Sequence, residues 1–148
     1  MKQLSEKLFV SPQPAAGDIA AARAAGIVAI VNNRPDGEEP GQPGAADGAM
    51  HAQAHSMGYV HIPVVPGGIT EMQVRAFQRA VASAPGPVLA HCRTGTRSVM
   101  LHVIGEGLDG KLGRTQIEAL GERLGIDLSG ATRWLDIHGS QTSWGDRA

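Results

Sequence analysis

Apolar and polar residues follow one another along the chain in blocks, and the period of each block predicts an element. Residues 8–11, LFVS, read as a short strand closed by Pro12 and Pro14. The alanine-rich residues 15–25 read as a helix stopped by Gly26. Residues 27–32, IVAIVN, are β-branched and apolar on both faces, the pattern of a buried central strand. Residues 33–48, NRPDGEEPGQPGAADG, have no apolar period and are rich in Pro, Gly and acidic residues, so they predict a long loop. Loops of this length inside a compact domain are usually functional or mobile.

The second half repeats the alternation. Residues 49–57 suggest a helix closed by Gly58, and residues 59–64, YVHIPV, a strand followed by the turn VPGGI. Thr70 and Gln73 have capping-box spacing, and Val74, Phe77, Val81 and Ala84 then share one helical face. Pro85, Gly86 and Pro87 end that helix, VLAH (88–91) is another buried strand, and a helix continues from Ser98. From Leu112 onward two helices are expected, separated by Gly125 and Ser129-Gly130. Strands alternating with helices predict an α/β fold, a mainly parallel central sheet flanked by helices. One domain over residues 1–138 and a loose tail over 139–148 are expected.

Composition narrows the function classes. The chain has 148 residues, 42% hydrophobic and 18% charged, with 13 basic against 14 acidic residues and a net charge of -1. Such a balance lacks the basic field that nucleic-acid partners require. No apolar run approaches the roughly 18 residues of a membrane span. The N-terminal MKQLSEKLFVSPQP has no apolar core of a signal peptide, so none is expected. A single cysteine excludes an internal disulfide and fits a reducing compartment, so a cytoplasmic location is expected.

That cysteine carries the chemistry. Cys92 lies in LAHCRTGTRS, at the end of the strand 88–91 and just before a helix, where α/β sheets collect their ligands. A free thiol, with a pKa near 8.5, is mostly protonated at neutral pH, and the thiolate is the nucleophile. A helix N-terminus and nearby arginines stabilise negative charge. Gly95 lets the backbone turn so that N–H groups of Arg93, Thr94, Gly95 and Thr96 can converge on one anion. Arg97 can present a bidentate fork to an oxyanion. Ser98, in the first helical turn, is placed to touch the sulfur or a leaving group.

The run HCRTGTRS resembles the active-site loop of the cysteine-dependent tyrosine and dual-specificity phosphatases, which begin HC and end in Arg followed by Ser or Thr. More narrowly, VSPQP, AIVNNRPDGEE, YVHIPV, HCRTGTRS and DLSG together resemble the phosphatase-like domain found beside β-lactamase-like hydrolases, a family also labelled sulfur transferases. The match runs from about Leu8 to Trp134. It implies a cysteine-phosphatase-like fold, a covalent intermediate on Cys92, and Arg97 as its catalytic partner.

Two departures bear on the reaction. Four residues separate Cys92 from Arg97, one fewer than in the phosphatase loop, and CRTGTRS also resembles the persulfide-carrying loop of rhodanese-type sulfurtransferases. Dual-specificity phosphatases place a general-acid Asp after a strand like HIPV, where this chain has Val65-Pro66-Gly67-Gly68. Asp36 is then the best substitute acid, with Glu38 or Glu39 behind it, and Arg34 adds a second positive contact. Sulfur transfer from thiosulfate or a persulfide needs a thiolate and anion donors but no strong acid, so the balance favours it. Phosphate-monoester hydrolysis and a non-catalytic anion-binding module are the alternatives.

The expected substrate is a small anion, with a thiol as acceptor and neither nucleic acid nor membrane as partner. No cofactor is expected. His51 and His55 stand at i, i+4, but HAQAH lacks the glutamate of HExxH and has no third ligand, so a solvated helix face and no metal are expected. His91 reads as a core histidine whose ring orients the loop.

Overall fold

The computed structural model describes residues 1–139 and Trp144. Five strands form one sheet: β1 (Lys2–Gln3), β2 (Leu8–Ser11), β3 (Ala29–Asn32), β4 (Gly58–His61) and β5 (Val88–His91), in the order β1-β2-β5-β3-β4. β2, β5, β3 and β4 run parallel, and β1 adds an antiparallel edge that its two polar residues do not announce in the sequence. The register places Ser11, His91 and Asn32 side by side at one level, so the C-terminal ends of β2, β5 and β3 are flush.

Six helices cover the sheet: α1 (Ala16–Ala24), α2 (Ala45–Ala54), α3 (Glu71–Ser83), α4 (Thr96–Leu108), α5 (Arg114–Leu124) and α6 (Ser129–His138). Alternation along the strands sorts the core into two layers. Leu8, Val10, Val31, Val88 and Ala90 face α3, α4, α5 and α6, where Phe77, Leu101, Ile117 and Leu135 pack. Ile30 and Leu89 face the smaller layer of Ile19, Ala22 and Ala52 from α1 and α2. No described helix is long and apolar enough to cross a membrane.

Several boundaries differ from the sequence reading: β3 starts at Ala29 rather than Ile27, and α2 ends at Ala54 rather than Met57. α2 starts at Ala45, inside the expected loop, because the Asp36 carboxylate nine residues upstream accepts from the Ala45 N–H at 2.9 Å and supplies the missing N-terminal partner. β4 stops at His61 rather than Val64, since Pro63 has no N–H to continue a ladder. α4 begins at Thr96, two residues before Ser98, so Arg97 belongs to the first helical turn. Elsewhere Thr70 and Gln73 form the expected capping box of α3.

The expected tail from Gly139 lies mostly outside the described residues. Trp144 is described: it is 2% exposed, and its Nε1–H donates to Asp136 Oδ1 at 3.0 Å. Arg114 stands 5.4 Å from its ring centroid. This tryptophan, which the sequence pattern assigned to loose chain, is part of the core.

Candidate active site

β5 is the middle strand, buried on both faces, and it delivers Cys92 directly to the start of α4. Cys92 is fully buried. Gly95 has φ 97°, a left-handed conformation that an L side chain resists. This turn brings the Gly95 N–H onto the Cys92 sulfur at 3.0 Å. A Cβ at Gly95 would lie 3.4 Å from the backbone of Ser11, so the loop also packs closely on the end of β2. The Gln13 N–H to Arg93 carbonyl bond, 3.1 Å, closes that side.

A belt of amides supports the loop from β3. The Ser98 hydroxyl donates to Asn33 Oδ1 at 2.8 Å, and Asn33 Nδ2 donates to the Ile62 carbonyl at 3.0 Å. The Asn33 N–H donates to the His91 carbonyl at 2.7 Å. The Ser98 hydroxyl, expected to touch the sulfur or a leaving group, gives its hydrogen to Asn33 in this structure. His91 is buried, with Nδ1 3.4 Å from the Cys92 carbonyl, and burial lowers its pKa to about 4. Its neutral ring fits the expected positioning role.

The charged groups form one connected network. Arg97 Nη1 and Nη2 hold the two Glu38 oxygens at 2.7 and 2.9 Å, and Nη1 also donates to the Val64 carbonyl at 2.7 Å. Arg34, 1% exposed, donates from Nε to Glu38 at 2.9 Å, from Nη2 to Glu39 at 2.8 Å and from Nη1 to Gln13 at 3.2 Å. Arg93 reaches Glu39 at 3.4 Å from the exposed rim. The hydrogen bonds from Arg97, with a smaller part from Arg34, hold Glu38 at a pKa of about 2 against the opposing effect of burial. Glu39 is lowered chiefly by its bond to Arg34. Arg97 is raised chiefly by Glu38, and the Cys92 sulfur adds to its charged state.

The structure therefore brings Cys92, Gly95, Arg97, Arg34 and Arg93 together, with Thr94 and Thr96 joined by their hydroxyls at the outer lip. Arg34 meets acidic side chains rather than an open pocket. Asp36 turns Oδ1 to the N-terminus of α2. Sequence reasoning named Glu38 and Glu39 only as reserve acids; their seats on Arg97 and Arg34 depend on tertiary approach, which spacing does not encode. Asn33 and Gln13 were missed for the same reason. His51 and His55 are exposed, and no cluster of metal-binding side chains occurs among the described residues. A cavity of about 980 Å³ elsewhere, lined by Phe77, His102, Leu112 and Leu120, includes none of residues 92–97.

With this geometry in place, similarity to known proteins identifies the family. Residues 1–109 match the family model described as the beta-lactamase hydrolase-like protein, phosphatase-like domain. The chain belongs to this family. Curated beta-lactamase hydrolase-like proteins are 48% identical over 134 residues in Agrobacterium fabrum and 41% identical over 139 residues in Xylella fastidiosa. These alignments cover 90% and 94% of the chain but 31% and 32% of the relatives, so the phosphatase-like domain spans about a third of their length. A Neisseria meningitidis structure described as a proposed phosphatase is 32% identical, with a TM-score of 0.81, covering 91% of this chain and 95% of that one. The catalytic core of the Saccharomyces cerevisiae PP-IP phosphatase SIW14 shares the fold at 13% identity and a TM-score of 0.70, covering 97% and 92%. Together these matches give the chain a phosphatase-like family and fold.

Proposed function

We propose that this domain transfers sulfane sulfur through Cys92. The thiolate attacks the outer sulfur of a persulfide, R–S–SH, or of thiosulfate. A Cys92 S–S bond forms while the donor S–S bond breaks, and the donor leaves as a thiolate or as sulfite. A small thiol acceptor then takes the outer sulfur and regenerates the Cys92 thiolate. Arg97 and the Gly95 N–H face the reacting sulfur, and Gly95, Thr94 and Thr96 shape the cradle.

The observation that carries this reading is the state of the acids. Glu38, at a pKa of about 2, is a carboxylate held by two arginines, and Glu39 is held in the same form by Arg34. Asp36 is engaged at the start of α2. Hydrolysis of an ordinary phosphate ester needs a proton donor for its leaving oxygen. Sulfite and thiolates leave without one. The second reading, phosphate-monoester hydrolysis on the same sulfur, is favoured by the family description and by the 32%-identical relative.

The deciding experiment exposes the protein and Cys92→Ser to glutathione persulfide, thiosulfate and p-nitrophenyl phosphate. The expected result is a mass increase of one sulfur atom on Cys92, absent in Cys92→Ser and retained in Asp36→Asn, with negligible phosphate release. Cys92-dependent phosphate release without sulfur loading, lost also in Asp36→Asn, would overturn sulfur transfer in favour of the phosphatase.

A further inference from the structure

Arg97 occupies the position that should grip an incoming anion, yet its fork already holds an anion belonging to the chain. Both Glu38 oxygens are bound by Arg97, and Oε1 is shared with Arg34 Nε. This carboxylate is anchored from both sides: its side chain is 19% exposed, against 11% for Arg97 and 2% for Arg34. The second Nη1 bond of Arg97 goes to the Val64 carbonyl, so the guanidinium cannot turn away from Glu38 without giving up a backbone contact. In the network beside Cys92, three guanidinium groups face two carboxylates, which cancel most of the positive charge. A cradle balanced in this way gains little Coulomb attraction for a second negative charge.

We infer that Glu38 is a specificity-determining residue that selects donors by charge, admitting an organic persulfide with at most one negative charge on its reacting group and disfavouring dianions such as thiosulfate and phosphate monoesters. This rests on the sulfur-transfer reading and names its substrate class. A dianion must either displace Glu38 from two arginines or lie beside it, and both are costly in a half-screened site. An organic persulfide presents its outer sulfur to Cys92 while the leaving thiolate sulfur stays on the donor's own carbon. It needs only the Gly95 N–H and the side of Arg97 that faces the sulfur. The step balances: Cys92–S⁻ and R–S–SH give Cys92–S–SH and R–S⁻, which takes a proton from water.

The test separates binding from turnover. Inorganic sulfate serves as the dianion probe, its binding measured by calorimetry and by protection of Cys92 from iodoacetamide, in the wild type, Glu38→Gln and Glu38→Asp. Glu38→Gln should bind sulfate roughly tenfold more tightly or better, and Glu38→Asp should stay within a few-fold of the wild type. In turnover, Glu38→Gln should raise the ratio of kcat/KM for thiosulfate to that for glutathione persulfide by a similar factor, mostly through KM for thiosulfate. Unchanged or weaker sulfate binding in Glu38→Gln overturns the proposal even where Cys92 takes up sulfur. Absence of sulfur loading from either donor overturns the sulfur-transfer reading, while the sulfate result still decides the charge selection. Should Glu38→Gln fail to fold, the wild type alone decides: methanesulfonate, a monoanion, must protect Cys92 at least as well as sulfate, and stronger protection by sulfate sinks the idea.

Discussion

The residue with the narrowest tolerance is Gly95. Its positive φ turns its own N–H toward Cys92 and lays the loop against Ser11. A methyl group at this position is strained in the left-handed region by roughly 1–2 kcal/mol. Gly95→Ala is therefore expected to lower stability by about that amount in chemical denaturation. It should also slow sulfur loading of Cys92 at least about tenfold, because relaxing the left-handed turn swings the backbone N–H away from the reacting atom. Wild-type loading in Gly95→Ala would mean that the 3.0 Å contact between N–H and sulfur plays no part in the chemistry. Arg97 shows how far the sequence carries at this scale. Its guanidinium chemistry and place beside the thiol are legible from HCRTGTRS alone. The carboxylate it grips comes from residue 38, 59 positions upstream, and only the fold brings the two together.

Elements were most legible where their signals are local. β5 and the capping box of α3 follow directly from VLAH and from Thr70 with Gln73. The sequence pattern starts α2 late, at residue 49, because the first N–H of the helix is satisfied by Asp36 across a loop, a long-range cap with no fixed spacing. β1 was missed because two exposed residues carry no period and pair only once β2 is in place. The α3 cap offers a test confined to one element. Thr70→Ala removes the hydroxyl that accepts the Gln73 N–H at 3.2 Å and should cost about 1 kcal/mol. Loading of Cys92 should be unaffected, since the cap lies outside the charged network. A loss of loading that exceeds the loss of stability would show that α3 positions the cradle.

For the molecule as a whole, three titratable groups that the fold shifts set its response to acid. His91 and His102 have pKa values lowered from 6.5 to about 4 by burial, so the unfolded chain binds more protons than the folded one in that interval. Stability is therefore full above pH 6.5 and falls as the pH drops toward 4. Glu38, lowered from 4.5 to about 2 by Arg97 and Arg34, contributes stability that is present above pH 4.5 and lost as the pH falls toward 2. Denaturation midpoints should fall in two stages as pH decreases. His102→Gln should flatten the upper stage and Glu38→Gln the lower one. A midpoint independent of pH between 6.5 and 4 would contradict the neutral state of both histidines in the fold.

The flush ends of β2, β5 and β3 carry a consequence for how such a domain can change over evolutionary time. The nucleophile follows the most protected strand, while the carboxylates that meet its neighbouring arginines stand between β3 and α2, on a segment that adds no apolar residue to either core layer. Changes at the carboxylates Glu38 and Glu39 should redraw the preference of the site while leaving both core layers intact. Descendants of one ancestral socket can thus acquire different chemistries by rewriting a few solvent-side positions, and divergence among relatives should concentrate there while the strand ends stay fixed.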